Sequence, residues 1–423
     1  MDLTSLKNGL RIFTDKKDNL RSATVGVWVY NGSRNEKAQL SGISHFIEHI
    51  VFKGSEKRSA FEIAEGMDEI GAHVNAYTTK EYTFFYTKAL NYQIIKAADI
   101  LFDMLINPRL DPGDIETEKG VVLEEINMCE DDPSDVVYEL NESAIFGGTS
   151  LSLKILGEKE TVNALSAEEI REYMKNNYCG ERIVVGVSGN FPEEEMMEKI
   201  KEYFSALSAK AVENSLYNVP FNQGISLKKM TTEQTHIMLC FPGVGIKHDD
   251  LYPLQVCMFI LGTGTSSMLN QRIREQLGLC YSVDSWLGRY MGGGYIAVAM
   301  SLSPASEERA IKEAIKILRE FSYNVTQKQV SIAKEKLISS LIMSREQPQS
   351  KFSSMGHNLI FLGRFIEDDE IINSIKNITL DDVKKVGEKY LQLKKMSFTA
   401  VGKVKEETDY KKLLEGEINE RNQ

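Results

Sequence analysis

The two halves of the chain repeat one pattern of elements. The apolar stretches ATVGVWVYNG (23–32) and QTHIMLCFPG (234–243) both end in a glycine, and these glycines lie 211 positions apart. RIVVGVSGN (182–190) and SFTAVGK (397–403) close the two halves in the same way, with their last glycines 213 positions apart. Apolar runs that end in a turn residue are typical of buried strands. A repeat of this length predicts two homologous domains in succession.

The segments between these strands also match in order. EYTFFYTKAL (81–90) and GGYIAVAM (293–300) have the composition of strands. YQIIKAADILFDMLI (92–106) and EERAIKEAIKILREF (307–321) follow them, with apolar residues at the three-to-four spacing of an amphipathic helix. The pattern predicts an α+β fold made of two homologous, duplicated α/β domains in succession.

The predicted domains span residues 1–212 and 225–423. The joint falls in LSAKAVENSLYNVPFNQG (207–224), which is polar and weakly periodic. A chain of 423 residues is also longer than one ordinary hydrophobic core supports.

Composition excludes several classes of function. The net charge of −11 argues against a general nucleic-acid-binding protein. The sequence contains no run of about 18 apolar residues, so we expect no membrane-spanning helix. Five widely spaced cysteines without a CxxC pattern predict structural thiols and no disulfide framework. The N-terminal residues do not have the composition of a leader peptide, so the expected location is cytoplasmic.

The stretch SGISHFIEHIVFKGS concentrates two of the six histidines and a glutamate within five positions. Gly54 predicts the end of a helix over residues 40–53. On such a helix His45 and His49 lie one turn apart, with Glu48 on the same face. Two imidazoles at this spacing are suited to hold one Zn²⁺, and the carboxylate reaches a water at the metal.

The alternative is a solvated helix face that happens to be polar. The flanking residues disfavour it, because they are apolar on both sides of the three polar ones and burial of these groups without a function is costly. At the 211-residue offset, His45 and His49 correspond to Val256 and Ile260, so only the first copy carries these groups.

The H-x-x-E-H order and the longer stretch GSRNEKAQLSGISHFIEHIVFKGSEKRS resemble the metal-site region of the pitrilysin-type zinc metallopeptidases, or inverzincins. The similarity is greatest to the half-length branch that contains mitochondrial processing peptidase and its bacterial homologues. It covers nearly the whole chain, including the LKNGLRI start and the duplication. The resemblance implies a zinc endopeptidase whose first domain (1–212) binds the metal and whose chain forms half of a clamshell. It also implies that each domain has a mixed, mostly antiparallel sheet covered by helices.

The resemblance also implies a third ligand. In the family it is a glutamate about 75 residues downstream, and in ETEKGVVLEEINM Glu125 lies 76 residues after His49. Glu118, two turns earlier, matches a carboxylate that orients the site. Glu124 competes by position but points about 100° away on a helix. In the second copy Glu125 corresponds to Ser340, so that copy lacks all three ligands.

The implied reaction is metal-assisted hydrolysis of a peptide bond. His45, His49 and Glu125 hold one Zn²⁺ per chain, and Glu48 accepts a proton from the attacking water and passes it to the leaving amine. The non-catalytic alternative is an assembly or scaffold subunit, because some relatives of this fold have that role.

GAHVNAYTTKEYTFFY resembles the strand to which the family adds its substrate as a further strand. By this resemblance Asn75 fixes the substrate backbone, and Ala76 offers its main-chain groups at the sheet edge. His73 is a third histidine in this region, and we interpret it as a plain polar or core residue.

NQRIREQLGLCYSV (270–283) resembles the family segment R-E-x-x-G-L-x-Y. The resemblance implies that Arg274 grips a substrate carbonyl and that Tyr281 assists the oxyanion. Met268 stands where relatives often have arginine. Since one chain carries both half-sites, a homodimer is expected, and a heterodimer with a metal-free homologue is the alternative.

Two further motifs have simpler interpretations. The acidic stretch CEDDPSD (129–135) is suited to attract basic peptides, but a solvated helix end and turn is the favoured interpretation. GGGY (292–295) lacks the lysine and helix start of a phosphate loop, and it predicts a hairpin turn instead.

Overall fold

The structure, a computed structural model, describes residues 2–210 and 219–419, so residues 211–218 of the predicted joint lie outside the described part. The strands are β1 (Asp2–Ser5), β2 (Arg11–Lys16), β3 (Ser22–Val29), β4 (His73–Thr78), β5 (Thr83–Leu90), β6 (Ile183–Gly189), β7 (Ile225–Lys229), β8 (Thr235–Gly243), β9 (Ser282–Tyr290), β10 (Gly293–Leu302) and β11 (Ser397–Gly402). The helices are α1 (Ile43–Ile50), α2 (Ala60–Glu69), α3 (Ile94–Ile106), α4 (Pro112–Asp131), α5 (Pro133–Ile145), α6 (Lys159–Ala164), α7 (Ala167–Asn177), α8 (Glu193–Phe204), α9 (Leu251–Leu261), α10 (Glu307–Asn324), α11 (Gln327–Arg345), α12 (Pro348–Leu362), α13 (Asp368–Lys376), α14 (Leu380–Tyr390) and α15 (Glu407–Asn419). A π-helix spans Asn270–Gln276.

Two sheets of matching topology confirm the predicted α+β fold. One has the order β1-β2-β6-β3-β5-β4 and the other the order β7-β11-β8-β10-β9. From β2 and β7 onward the orders correspond strand by strand. In both sheets the first of these pairs is parallel and the following three are antiparallel. The sheets are therefore mixed and mostly antiparallel, and β1 is an addition to the first.

The first compact unit consists of residues 2–127, 153–210 and 347–365. Side chains alternate between the two faces of β3. Val25, Val27 and Val29 belong to the core that includes α1 and α3. Trp28, on the other face, packs against Phe352 of α12, with ring centroids 5.0 Å apart.

The second compact unit consists of residues 128–152, 219–346 and 366–419. Its sheet packs against α5 through β8 and β11, as the first sheet packs against α12 through β3 and β6. Pro133 and Pro348 begin these two corresponding helices, at the position where proline suits a helix. The compact units thus differ from the continuous segments 1–212 and 225–423 by these two helices.

Substitutions at two helical glycines, Gly356 of α12 and Gly120 of α4, test how closely α12 packs against the first sheet. A Cβ at Gly356 would lie 2.2 Å from the indole ring of Trp28, whereas nothing lies within 4 Å of a Cβ at Gly120 of α4. We expect Gly356→Ala to lower the free energy of unfolding by about 1–3 kcal/mol through overpacking. Gly120→Ala should raise it by about 0.5–1 kcal/mol, because alanine favours a helix interior.

The measurement is thermal unfolding of the two variants and the wild type at one scan rate. Equal shifts of the first transition for both alanine variants would contradict this account of α12.

Candidate active site

The helix that carries the two histidines is shorter than predicted. Residues 40–53 were expected to be helical, but α1 spans Ile43–Ile50 and is followed by a 3-10 turn at Val51–Lys53. Gly42 before it and Gly54 after it have φ angles of +94° and +140°, so the backbone leaves helical geometry at both ends.

A buried carboxylate holds the start of α1. Glu36 accepts hydrogen bonds from the backbone N–H groups of Gly42 and Ser44, both at 2.8 Å. Burial raises the pKa of Glu36 to about 7, although these two hydrogen bonds act in the opposite direction. The contact satisfies backbone donors that a helix N-terminus leaves free, and it fixes the turn on which His45 lies.

The three predicted ligand side chains lie close together. One donor atom from each of His45, His49 and Glu125 lies within 4.8 Å of the others. The Glu125 Oε2 atom lies 3.6 Å from His45 Nε2 and 3.5 Å from His49 Nε2. Donor atoms about 2.0–2.2 Å from a tetrahedral zinc ion lie roughly 3.3–3.6 Å apart, so the two distances from Glu125 fit Zn²⁺. Glu124 is exposed and is not part of the group.

Glu118 contacts the second histidine. Its Oε1 lies 2.8 Å from His49 Nδ1, and its Oε2 lies 2.7 Å from Lys53 Nζ. Burial would raise the pKa of Glu118, but the bonds with His49 and Lys53 prevail and lower it. Burial likewise opposes a charge on His49, but the hydrogen bond to Glu118 and the charge of Glu125 raise the pKa of His49. A histidine that gives its Nδ1 proton to a carboxylate directs its Nε2 lone pair toward a metal.

His45 is held differently. Its side chain is nearly buried, and burial, reinforced by the neighbouring His49, lowers its pKa to about 3. The imidazole is therefore neutral near pH 7, which is the form that binds a metal. Its Nδ1 has no hydrogen-bond partner within the described part of the chain.

Glu48 lies beside this group and has its own partner. The Thr78 hydroxyl donates a hydrogen bond of 2.6 Å to Glu48 Oε2. Burial raises the pKa of Glu48, and the Thr78 hydrogen bond acts in the opposite direction. The sequence analysis missed both Thr78 and Lys53, because neither residue type carries a signal before the chain is folded. Only the position of Thr78 at the end of a predicted edge strand gave a hint.

The predicted substrate strand lies at the edge of the first sheet. GAHVNAYTTKEYTFFY resembles a single family strand in sequence, but it forms the hairpin β4–β5, with β4 outermost. Asn75 is exposed, and its Oδ1 accepts a 2.8 Å hydrogen bond from the N–H of Ala76. His73 is exposed on the same strand and is not part of the metal group.

Comparison with known families identifies the chain. Residues 11–159 match the model of insulinase (peptidase family M16), and residues 164–337 match the peptidase M16 inactive domain. The chain belongs to peptidase family M16. This confirms the family resemblance found in the sequence. The inactive-domain match includes the copy in which Val256 and Ile260 replace the two histidines, and both residues are buried in α9.

The relatives of this M16 chain are of similar length. It is 37% identical to the uncharacterized zinc protease YmxG of Bacillus subtilis over 89% of this chain and 92% of the relative. It is 32% identical to an uncharacterized zinc protease of Streptomyces coelicolor over 95% of this chain and 90% of the relative.

Solved structures share the fold at low identity. A protease from Helicobacter pylori matches with a TM-score of 0.87 and 18% identity over 95% of this chain and 99% of the other. A chain of Complex III2 from Candida albicans matches with a TM-score of 0.83 and 18% identity over 98% of this chain and 99% of the other.

The remaining predicted residues lie in the second compact unit. Arg274 is exposed on the π-helix. The Tyr281 side chain is 74% exposed, and its backbone N–H bonds to the Ser301 carbonyl at 2.8 Å. Met268 is partly buried and packs against the core of this unit. Their roles at a substrate stay predictions.

The two simpler motifs follow their expected structures. In the acidic stretch α4 ends at Asp131, and Asp132 caps α5 by accepting the Ser134 N–H at 2.7 Å. GGGY lies at the hairpin between β9 and β10, where Gly292 has a φ of +87°. No helix among residues 2–210 and 219–419 has the length and apolar character needed to cross a bilayer.

Proposed function

We propose that this protein is a zinc-dependent endopeptidase. The observation that carries the proposal is the set of His45, His49 and Glu125 donor atoms, with the carboxyl group of Glu48 on the same short helix. Two imidazoles and one carboxylate are a donor set of catalytic zinc sites, which leave a position open for water or substrate. The zinc protease names of the bacterial relatives support this assignment.

Each residue has a separate task in the proposed reaction. A zinc ion held by His45, His49 and Glu125 would supply a Lewis acid that polarises the scissile carbonyl and acidifies a water. Glu48 takes the proton from the attacking water and delivers it to the leaving amine nitrogen. Burial raises the pKa of Glu48, and a raised carboxyl pKa suits a group that both accepts and returns a proton.

The proposed substrates are unfolded peptides or small proteins bound as an added strand in a closed chamber. The position of β4 at the sheet edge supports this binding mode, because an outermost strand has backbone groups available for a further strand. We assign Asn75 and Ala76 to the substrate backbone, Arg274 to a substrate carbonyl and Tyr281 to the oxyanion. A fixed guanidinium and a neutral phenol are suited to these tasks.

A homodimer is the proposed assembly, and a heterodimer with a metal-free homologue is the alternative. Cytoplasmic location, and the expectation that neither nucleic acid nor membrane is a partner, stay predictions of the sequence.

Metal removal tests the proposed function. The substrate is an unstructured peptide of about 10–15 residues with a fluorophore and a quencher at its ends. We expect the purified protein to cleave it, a chelator to abolish cleavage, and one equivalent of Zn²⁺ per chain to restore it after the chelator is removed. Magnesium should not restore cleavage, because it prefers six oxygen ligands. Cleavage that continues in the metal-free protein would contradict the proposal.

The second candidate is a non-catalytic assembly subunit. The fold similarity to a chain of Complex III2 favours it, since that protein is part of a larger assembly. The same experiment separates the two functions. A scaffold subunit would leave every peptide of a mixed-sequence library intact, with and without zinc, when the digest is read by mass spectrometry.

A further inference from the structure

Thr78 is the last residue of β4, and its hydroxyl proton is directed to Glu48. Two oxygen atoms lie near the hydroxyl: Glu48 Oε2 at 2.6 Å and Thr83 Oγ1 at 3.5 Å. Thr83 already donates its own proton to the Asn31 carbonyl at 3.0 Å. The Thr78 proton goes to the carboxylate, which is both the closer and the stronger acceptor.

This bond, together with a hydrogen bond from the Thr78 backbone N–H, restricts the Glu48 side chain, which otherwise has three rotatable bonds. Of the four groups His45, His49, Glu125 and Glu48, we assign proton transfer to Glu48 alone. In this role its second oxygen, Oε1, has to face the reacting water. A base contributes fully only when it is within hydrogen-bond reach of the proton it removes. With Oε2 held by Thr78, rotation of the carboxyl group is restricted and Oε1 keeps one direction.

The same bond connects the base with the substrate strand. Asn75 and Thr78 lie on one strand, and among the residues that the structure describes β4 pairs only with β5. A peptide added to the free side of β4 would lie along the strand whose last residue holds Glu48. We propose that Thr78 is a positioning residue that orients Glu48 for proton transfer and couples strand addition at β4 to the base. This inference rests on the proposed peptidase function.

The test compares three variants of the full-length, zinc-loaded protein on the fluorogenic peptide. Thr78→Val keeps the shape of the side chain and removes the hydroxyl, so we expect kcat to fall roughly 10–100-fold, as for a misplaced catalytic group. KM should change less than about twofold, since β4 still pairs with the peptide. Thr78→Ser restores the hydroxyl and should stay within about threefold of the wild-type kcat.

Thr87→Val is the matched control. Thr87 lies on β5 and is buried, and its hydroxyl has no hydrogen-bond partner among the described residues. The same substitution there removes a buried polar group without breaking a bond, so wild-type kinetics are expected. Zinc content, measured by elemental analysis, should be one per chain in all variants.

Three results would overturn the assignment: an unchanged kcat in Thr78→Val, an equal loss in Thr78→Ser, or a loss that parallels zinc content. Each of these leaves the peptidase function standing, because the wild type is active in the same assay. A wild-type protein that cleaves no peptide would overturn the proposed function and this assignment together.

Discussion

Replacement of Glu48 by glutamine is expected to lower peptide cleavage at least about 1000-fold while zinc stays bound, a loss within the range for removal of a general base. The amide has nearly the shape of the carboxylate, and its oxygen still accepts the Thr78 hydroxyl, but it cannot take a proton from water at neutral pH. Initial rates on the fluorogenic peptide and zinc content of the same samples are the measurements.

Glu65→Gln is the control for Glu48→Gln. Glu65 is an exposed glutamate of α2, so the substitution changes the net charge by the same amount at a surface position outside the metal group. It should leave rate and zinc content unchanged. If Glu48→Gln cleaves as fast as Glu65→Gln, proton transfer belongs to another group. If Glu48→Gln loses its zinc, the loss of activity does not test whether Glu48 is the general base.

The second large effect concerns the ligand on the distant helix. We expect Glu125→Ala to weaken zinc affinity by more than about 100-fold, beyond the effect typical of groups that only orient a ligand. Its Oε2 is the atom that lies near both histidine nitrogens. Competition with a chromophoric chelator at constant pH measures the affinity.

Glu124→Ala gives the sharpest comparison, because it removes the same side chain one position earlier on α4. Glu124 is exposed and outside the metal group, so its loss should change zinc affinity less than about threefold. Equal losses in the two variants would show that the charge of this helix matters and that the direction of Glu125 does not.

Helix periodicity alone predicted that His45 and His49 share one face, because that part of the geometry is local. Four residues on a helix place His45 and His49 on one face in any surroundings. Glu125 required the family resemblance to choose it over Glu124, since spacing alone leaves two adjacent carboxylates, and only the folded helix shows which one faces the histidines.

Contacts between segments that are distant in the sequence could not be predicted from it. Lys53, in the 3-10 turn after α1, contacts Glu118 of α4. Thr78, at the end of β4, contacts Glu48 of α1. Both contacts form only because these elements come together in the folded first unit. The placement of α5 and α12 was missed for a related reason. Apolar residues at helical spacing show that a helix is covered, but they do not show which sheet covers it.

The central claim is that one zinc ion binds between His45, His49 and Glu125. X-ray diffraction from crystals of the zinc-loaded protein, collected on both sides of the zinc absorption edge, tests it most directly. The account predicts one anomalous peak per chain, about 2.0–2.2 Å from one nitrogen of each histidine and from a carboxylate oxygen of Glu125. A crystal of loaded protein with no peak among these three side chains, or with its zinc bound elsewhere, would contradict it.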